Sequence, residues 1–163
     1  MFAKVLGKTN DEVWALLPTL TNDKRLREMR RHLKGLDWPD ETKDRVAHFI
    51  KAFEILVDNR NLLDHSAIFA SVEGPTGLYK YDRKKGNTIH IVLTTAELRQ
   101  IADEMMAYNN YGLLFGNSIG PKGELNTLFV KTWPDQPPLP RALNYTSEPI
   151  AIRRPPSPGG GVR

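Results

Sequence analysis

The sequence predicts an α+β fold: a mostly α-helical bundle with a small antiparallel β-meander inserted after the third helix. Three observations predict it. Apolar residues recur at three- and four-residue spacing over roughly 23–34, 39–64 and 94–115, the period of an amphipathic helix. Over about 67–93 the period falls to two and turn residues interrupt it, as in paired strands. From Pro134 onward both periods stop, and eight of the twelve prolines follow.

Taken in order, Asn10 with Asp11 and Glu12 reads as a first helix start, with Val13, Trp14, Leu16 and Leu17 ahead of Pro18. Asn22 and Asp23 open a second helix, about 23–34, whose stripe is Leu26, Met29 and Leu33 and which Gly35 closes. Pro39 suits the first turn of a third and longest helix, about 39–64, burying Val46, Phe49, Ile50, Phe53, Leu56, Val57 and Leu63. Ile68, Ala70 and Val72 then alternate, Gly74–Gly77 turns, Leu78–Tyr81 alternates again, and Ile89, Ile91 and Leu93 follow the turn at Arg83–Asn87. This is a two- or three-stranded meander. Thr94-Thr95-Ala96-Glu97 is a capping box, and the fourth helix buries Leu98, Ile101, Met105, Tyr108, Gly112 and Phe115 before Gly120-Pro121 stops it. The folded domain is expected over 1–130, and 131–163 as a Pro-rich extended or disordered tail. Its residues Leu143, Tyr145, Ile150 and Ile152 give it some means of lying along the domain.

Composition excludes several classes. With no cysteine there is no disulfide framework, iron–sulfur cluster, cysteine zinc site or thiol nucleophile. No stretch approaches the ~18–20 apolar residues of a membrane span, and Met1–Lys8 lacks a signal peptide's apolar core, so a cytoplasmic protein with no membrane contact is expected. The net charge of +4 is mostly the tail's, through Arg141, Arg153, Arg154 and Arg163 against Glu148. No glycine-rich phosphate loop, nucleophile elbow or dinucleotide fingerprint is present. Glu54, Asp58, Asp64 and His65 read as separate surface groups, and neither metal nor cofactor is expected.

One motif carries chemistry. The longest helix ends in Asn59-Arg60-Asn61-Leu62-Leu63-Asp64-His65-Ser66. Arginine, an adjacent asparagine, and a histidine five residues after the arginine, at the end of a long amphipathic helix, resemble the HEPN superfamily. These are helical-bundle proteins whose ribonuclease members carry Arg, four to six residues, then His. The order of motif, short β segment and further helix is similar too. The resemblance covers about 40–116 loosely and Arg60, Asn61 and His65 specifically. Spacing alone does not select them, since Arg25–His32, Arg27–His32 and Arg83–His90 also satisfy it; the helix end and Asn61 do.

The resemblance implies metal-independent RNA cleavage, in which a ribose 2′-hydroxyl attacks the adjacent phosphorus and leaves a cyclic phosphate. His65 would be the acid/base, Arg60 would hold the phosphate and Asn61 would orient either group. It also implies a homodimer with two facing motifs, of toxin or defence type, with an antitoxin or other protein partner. Helix geometry sets a condition: on an unbroken helix a five-residue step leaves Arg60 and His65 ~140° apart. The alternative is a non-catalytic helical dimeric adaptor in which Arg60 pairs with Asp64 and Asn61 with His65, both i,i+4.

Lys24, Arg27 and Arg31 recur with Lys34 on one face of the second helix, and Lys84 sits in the basic run Arg83–Lys85. Lys24, Arg27, Arg31 and Lys84 are therefore the candidate RNA contacts, against the alternative of a solvated face. In the tail, Pro137–Pro140 and Pro155–Pro158 have PxxP form, but their flanking charges fall out of register, so a spacer or surface-hugging strap is expected.

Overall fold

A computed structural model describes residues 1–69, 76–82 and 87–149. Among them are α1 (Phe2–Leu6), α2 (Asn10–Leu16), a 3₁₀ turn (Leu17–Thr19), α3 (Asn22–Gly35) and α4 (Asp40–Asp64). Strands β1 (Ala67–Phe69), β2 (Thr76–Asp82) and β3 (Asn87–Leu93) follow, then α5 (Thr95–Ser118) and β4 (Thr146–Pro149). The α+β class with helices dominant is as the sequence predicts.

Threonines set the starts of α2, α3 and α5. Thr94 Oγ1 accepts from the Glu97 amide at 3.2 Å while the Glu97 carboxylate accepts from the Thr94 amide at 2.9 Å, the capping box read from the sequence. Thr9 and Glu12 make the same reciprocal pair, at 3.2 and 2.8 Å, so α2 is capped one residue before the Asn10 expected to start it. Thr21 likewise caps α3 by accepting from Lys24 N. Lysines from elsewhere close two helices. Lys80 Nζ donates to Asn61 O at 3.1 Å near the end of α4, and Lys4 Nζ donates to Gly116 O at 3.1 Å and to Ile119 O at the end of α5. The short α1 has no counterpart in the sequence reading; Gly7, at φ +62, ends it after five residues.

Two cores result. In the helical one, Val5, Leu26, Met29, Val46, Ile50 and Leu56 meet Tyr108, Tyr111 and Phe115 of α5. Phe115 is fully buried, stacked on Tyr111 at 5.2 Å and edge-on to Trp133 at 5.7 Å. Each such side chain contributes roughly 1.5–3 kcal/mol by leaving water. Trp38 is buried against Gly123, where φ is +79 and a Cβ would stand 2.3 Å from Trp38 Cγ, so only glycine fits. The second core lies under the sheet. Leu78, Ile89, Ile91 and Leu93 pack with Ile101 and Leu143, and with Leu62 and Leu63 from the end of α4.

The sheet is antiparallel in the order β1-β2-β3-β4, with Ile68 opposite Leu78 and Leu78 opposite Ile91. It therefore has one strand more than the two or three expected. The extra one, β4, pairs Thr146 with His90 and Ser147 with Ile89. It covers what would otherwise be an exposed edge of β3, and its terminal proline is tolerated because β4 is itself the outer strand.

The chain between α5 and β4 is held on the helices by one-sided chemistry. Prolines offer carbonyls and no N–H, so the domain supplies the donors. Arg45 donates to Pro134 O at 3.3 Å and lies 5.6 Å over the Trp133 ring. Tyr108 Oη donates to Pro137 O and Pro138 O at 2.9 and 3.0 Å, and His48 Nε2 meets Tyr108 Oη at 2.8 Å and Pro137 O at 3.0 Å. A carbonyl only accepts, so Nε2 of His48 carries hydrogen. No described helix is long and apolar enough to cross a membrane.

Candidate functional site

The motif lies where α4 meets the sheet. α4 runs unbroken through Asp64, and His65 takes its C-cap position at φ −106, ψ 13. Arg60 and His65 therefore stay on different sides of the helix axis, by ~140° of rotation. What meets Arg60 is Asp64: Nη2 stands 2.9 Å from Oδ2, with the two side chains 64% and 46% exposed. This is the i,i+4 pair of the alternative reading. Its companion is not formed. Among the described residues neither the Asn61 amide nor the His65 imidazole has a hydrogen-bond partner; Asn61 is half-buried and His65 exposed. Arg60, Asn61 and His65 are not brought to one point, and the guanidinium fork that would grip a phosphate already faces a carboxylate.

The asparagine that the fold uses is the neighbouring Asn59. It is 2% exposed, and its side chain imitates a strand partner for the returning chain. Nδ2 donates to Arg141 O at 2.8 Å and Oδ1 accepts from Leu143 N at 2.9 Å. Arg141 N donates in turn to Glu104 at 3.1 Å, and its guanidinium reaches Glu97 at 3.2 Å. The sequence carried a signal for this, because Asn59 continues the buried face Ala52–Leu56 at three-residue spacing.

Two of the grooves on the bundle carry residues singled out in the sequence. The first, about 410 Å³, opens between α4 and α5. Phe49, Phe53 and Val57 form one wall and Met105, Gly112 and Leu113 the other, with Arg60 at its rim. Gly112 brings the helices close enough for the Phe49 ring to fill the place of a side chain: a Cβ there would be 2.7 Å from Phe49 Cε2. Beside this groove α5 presents Met106 and Leu113, each 62% exposed, while Leu114, 56% exposed, lies ~100° further round the helix. The second groove, about 530 Å³, lies between α3 and the chain before it and carries Lys24, Arg27 and Arg31. Lys84, the fourth candidate RNA contact, lies outside the described residues.

Tyr108 lines the first groove with its ring and holds the strap with its hydroxyl. Burial, with Tyr111 and Glu104 nearby, pushes its phenol up to about 12, so it remains a donor well above neutrality. Among the described residues no group of three or more His, Asp or Glu side chains is placed to hold a metal ion. In comparisons with known proteins, the chain matches no family model, no curated protein and no solved structure.

Proposed function

We propose that this chain is a non-catalytic helical adaptor that self-associates through the α4–α5 groove and presents its remaining faces to a protein partner. The observation carrying this reading is the pairing of a hollow and its knobs on one face. An apolar groove of about 410 Å³ adjoins Met106 and Leu113, both more than half exposed. A two-fold interface must be self-complementary, and a face holding both the recess and the residues to fill it meets that requirement. Apolar side chains so concentrated on one helix face favour association over solvation. The test is sedimentation equilibrium of the full chain beside a Leu113→Glu, Leu114→Glu variant. The parent is expected to be a dimer and the variant a monomer with unchanged circular dichroism; a monomeric parent at micromolar concentration contradicts the reading.

A second reading is metal-independent RNA cleavage at Arg60, Asn61 and His65. It is favoured by Arg60 standing at the rim of that groove, which would carry two motifs to one interface, and by the exposed His65 imidazole, which has no partner among the described residues. Against it, Asp64 would place a negative charge beside the phosphate that Arg60 must hold. Cleavage of total cellular RNA in excess EDTA by the parent but not by His65→Ala would establish it; equal results from the two would remove His65 from the chemistry.

A further inference from the structure

The second groove has a composition unlike the first, and it points to a different occupant. Its floor is aliphatic: Leu6 from the end of α1, Leu16 from α2 and Leu20 from the turn before α3, each only half-buried. Its rim is cationic. Lys24, Arg27 and Arg31 come from successive turns of α3, Lys8 faces them from the α1–α2 loop, and His32 lies at one end. The only acidic lining residue is Glu28, and Arg31 holds it at 2.6 Å. Lys8 has Glu12 at 3.7 Å. Lys24 and Arg27 have no carboxylate partner among the described residues, so the rim keeps uncompensated positive charge around an apolar floor.

We propose that this groove binds an acidic amphipathic helical segment of a partner protein, its leucine-type side chains on the floor and its carboxylates on Lys24 and Arg27. Three features separate this occupant from other anions. A nucleic acid strand stacks successive bases on a series of flat aromatic surfaces, whereas His32 is the single aromatic ring among the lining residues described and the floor is leucine. A bilayer surface is met by apolar side chains that protrude into it, whereas these leucines are half-buried and the cations around them are exposed. A helix with apolar residues three and four apart and glutamates between them offers both features at the required spacing. The proposal concerns a surface remote from the α4–α5 groove and stands or falls separately from self-association.

The experiment uses the full chain and a fluorescein-labelled helical peptide of roughly 16 residues, about four turns, with leucines at three- and four-residue spacing and glutamates elsewhere. Two comparison peptides replace the leucines by serine or the glutamates by lysine. By fluorescence anisotropy the acidic leucine peptide binds, and each comparison peptide binds about tenfold more weakly or worse, the size expected for losing a few anchors. A Lys24→Gln, Arg27→Gln variant loses about tenfold in affinity for the acidic peptide. The Leu113→Glu, Leu114→Glu variant retains that affinity. No binding, or equal binding of the serine peptide, overturns the proposal, the latter reducing the groove to a charged surface. Tighter binding of a uridylate oligomer or of phosphatidylglycerol vesicles, lost in the Lys24/Arg27 variant, also overturns it and reassigns the cations to RNA or lipid.

Discussion

The α4–α5 groove and the α3 groove are of similar size and differ in what surrounds their apolar floors. Between α4 and α5 the lining is aromatic and aliphatic, and the one full charge at the rim, Arg60, is met by Asp64 at 2.9 Å. Beside α3 the floor is three leucines and the rim is four lysines and arginines against one glutamate. An apolar recess with neutralised edges and protruding neighbours suits a copy of itself. A recess whose rim carries more cations than carboxylates, with Lys24 and Arg27 unmatched among the described residues, would repel its own copy and attract an acidic segment. Concavity alone therefore does not identify an occupant; the charge balance at the rim does.

The proline-rich strap sharpens the contrast, because it is tied to the α4–α5 side. Removing its anchor is expected to have the largest effect. Asn59→Ala leaves the Arg141 carbonyl and the Leu143 amide without their partner in a buried position, at a cost of about 2–3 kcal/mol. Urea denaturation measures this, and the acidic-peptide affinity of the folded variant is expected to be unchanged.

Next is a pH effect confined to the same side. The Tyr108 phenol is pushed up to about 12 in the fold, while an unfolded tyrosine titrates near 10. The folded state thus disfavours phenolate. The associated stability is intact below about pH 10 and falls as pH rises from there through the folded value. Urea midpoints from neutrality to strongly alkaline pH are expected to decline over that window, and Tyr108→Phe to decline less steeply. Tyr111, whose phenol burial also raises, is expected to act in the same direction.

The smallest effect belongs to the motif. Arg60 and Asp64 form an exposed i,i+4 pair, so Arg60→Ala is expected to change stability by less than about 0.5 kcal/mol in thermal denaturation. A loss of several kcal/mol would show that the pair anchors the helix end to the sheet.

Much of the frame was legible from residue spacing. α4 and α5 are long enough for a three- and four-residue stripe to repeat several times, and Thr94 with Glu97 fixes the start of α5 by local chemistry. β4 was not legible, since Thr146-Ser147-Glu148-Pro149 has no apolar alternation and becomes a strand only because the β3 edge is available to it. α1 was too short to show a period. At the motif, the sequence drew attention to Arg60, Asn61 and His65 because they are chemically versatile, whereas Asn59 acts because it is buried. Its place in an apolar stripe was the available clue. The grooves depend on how closely helices approach, as at Gly112 and Phe49, and no one-dimensional pattern records that distance.

Self-association through the α4–α5 face has a direct test because the chain has no cysteine to confuse it. Single cysteines are placed at Met106, at Leu113 and, as a control on the basic side, at Lys34, and each variant is oxidised mildly at micromolar concentration. Covalent dimers are expected from Met106→Cys or Leu113→Cys and none above background from Lys34→Cys. Equal trapping at all three positions, or trapping at Lys34→Cys alone, would contradict it.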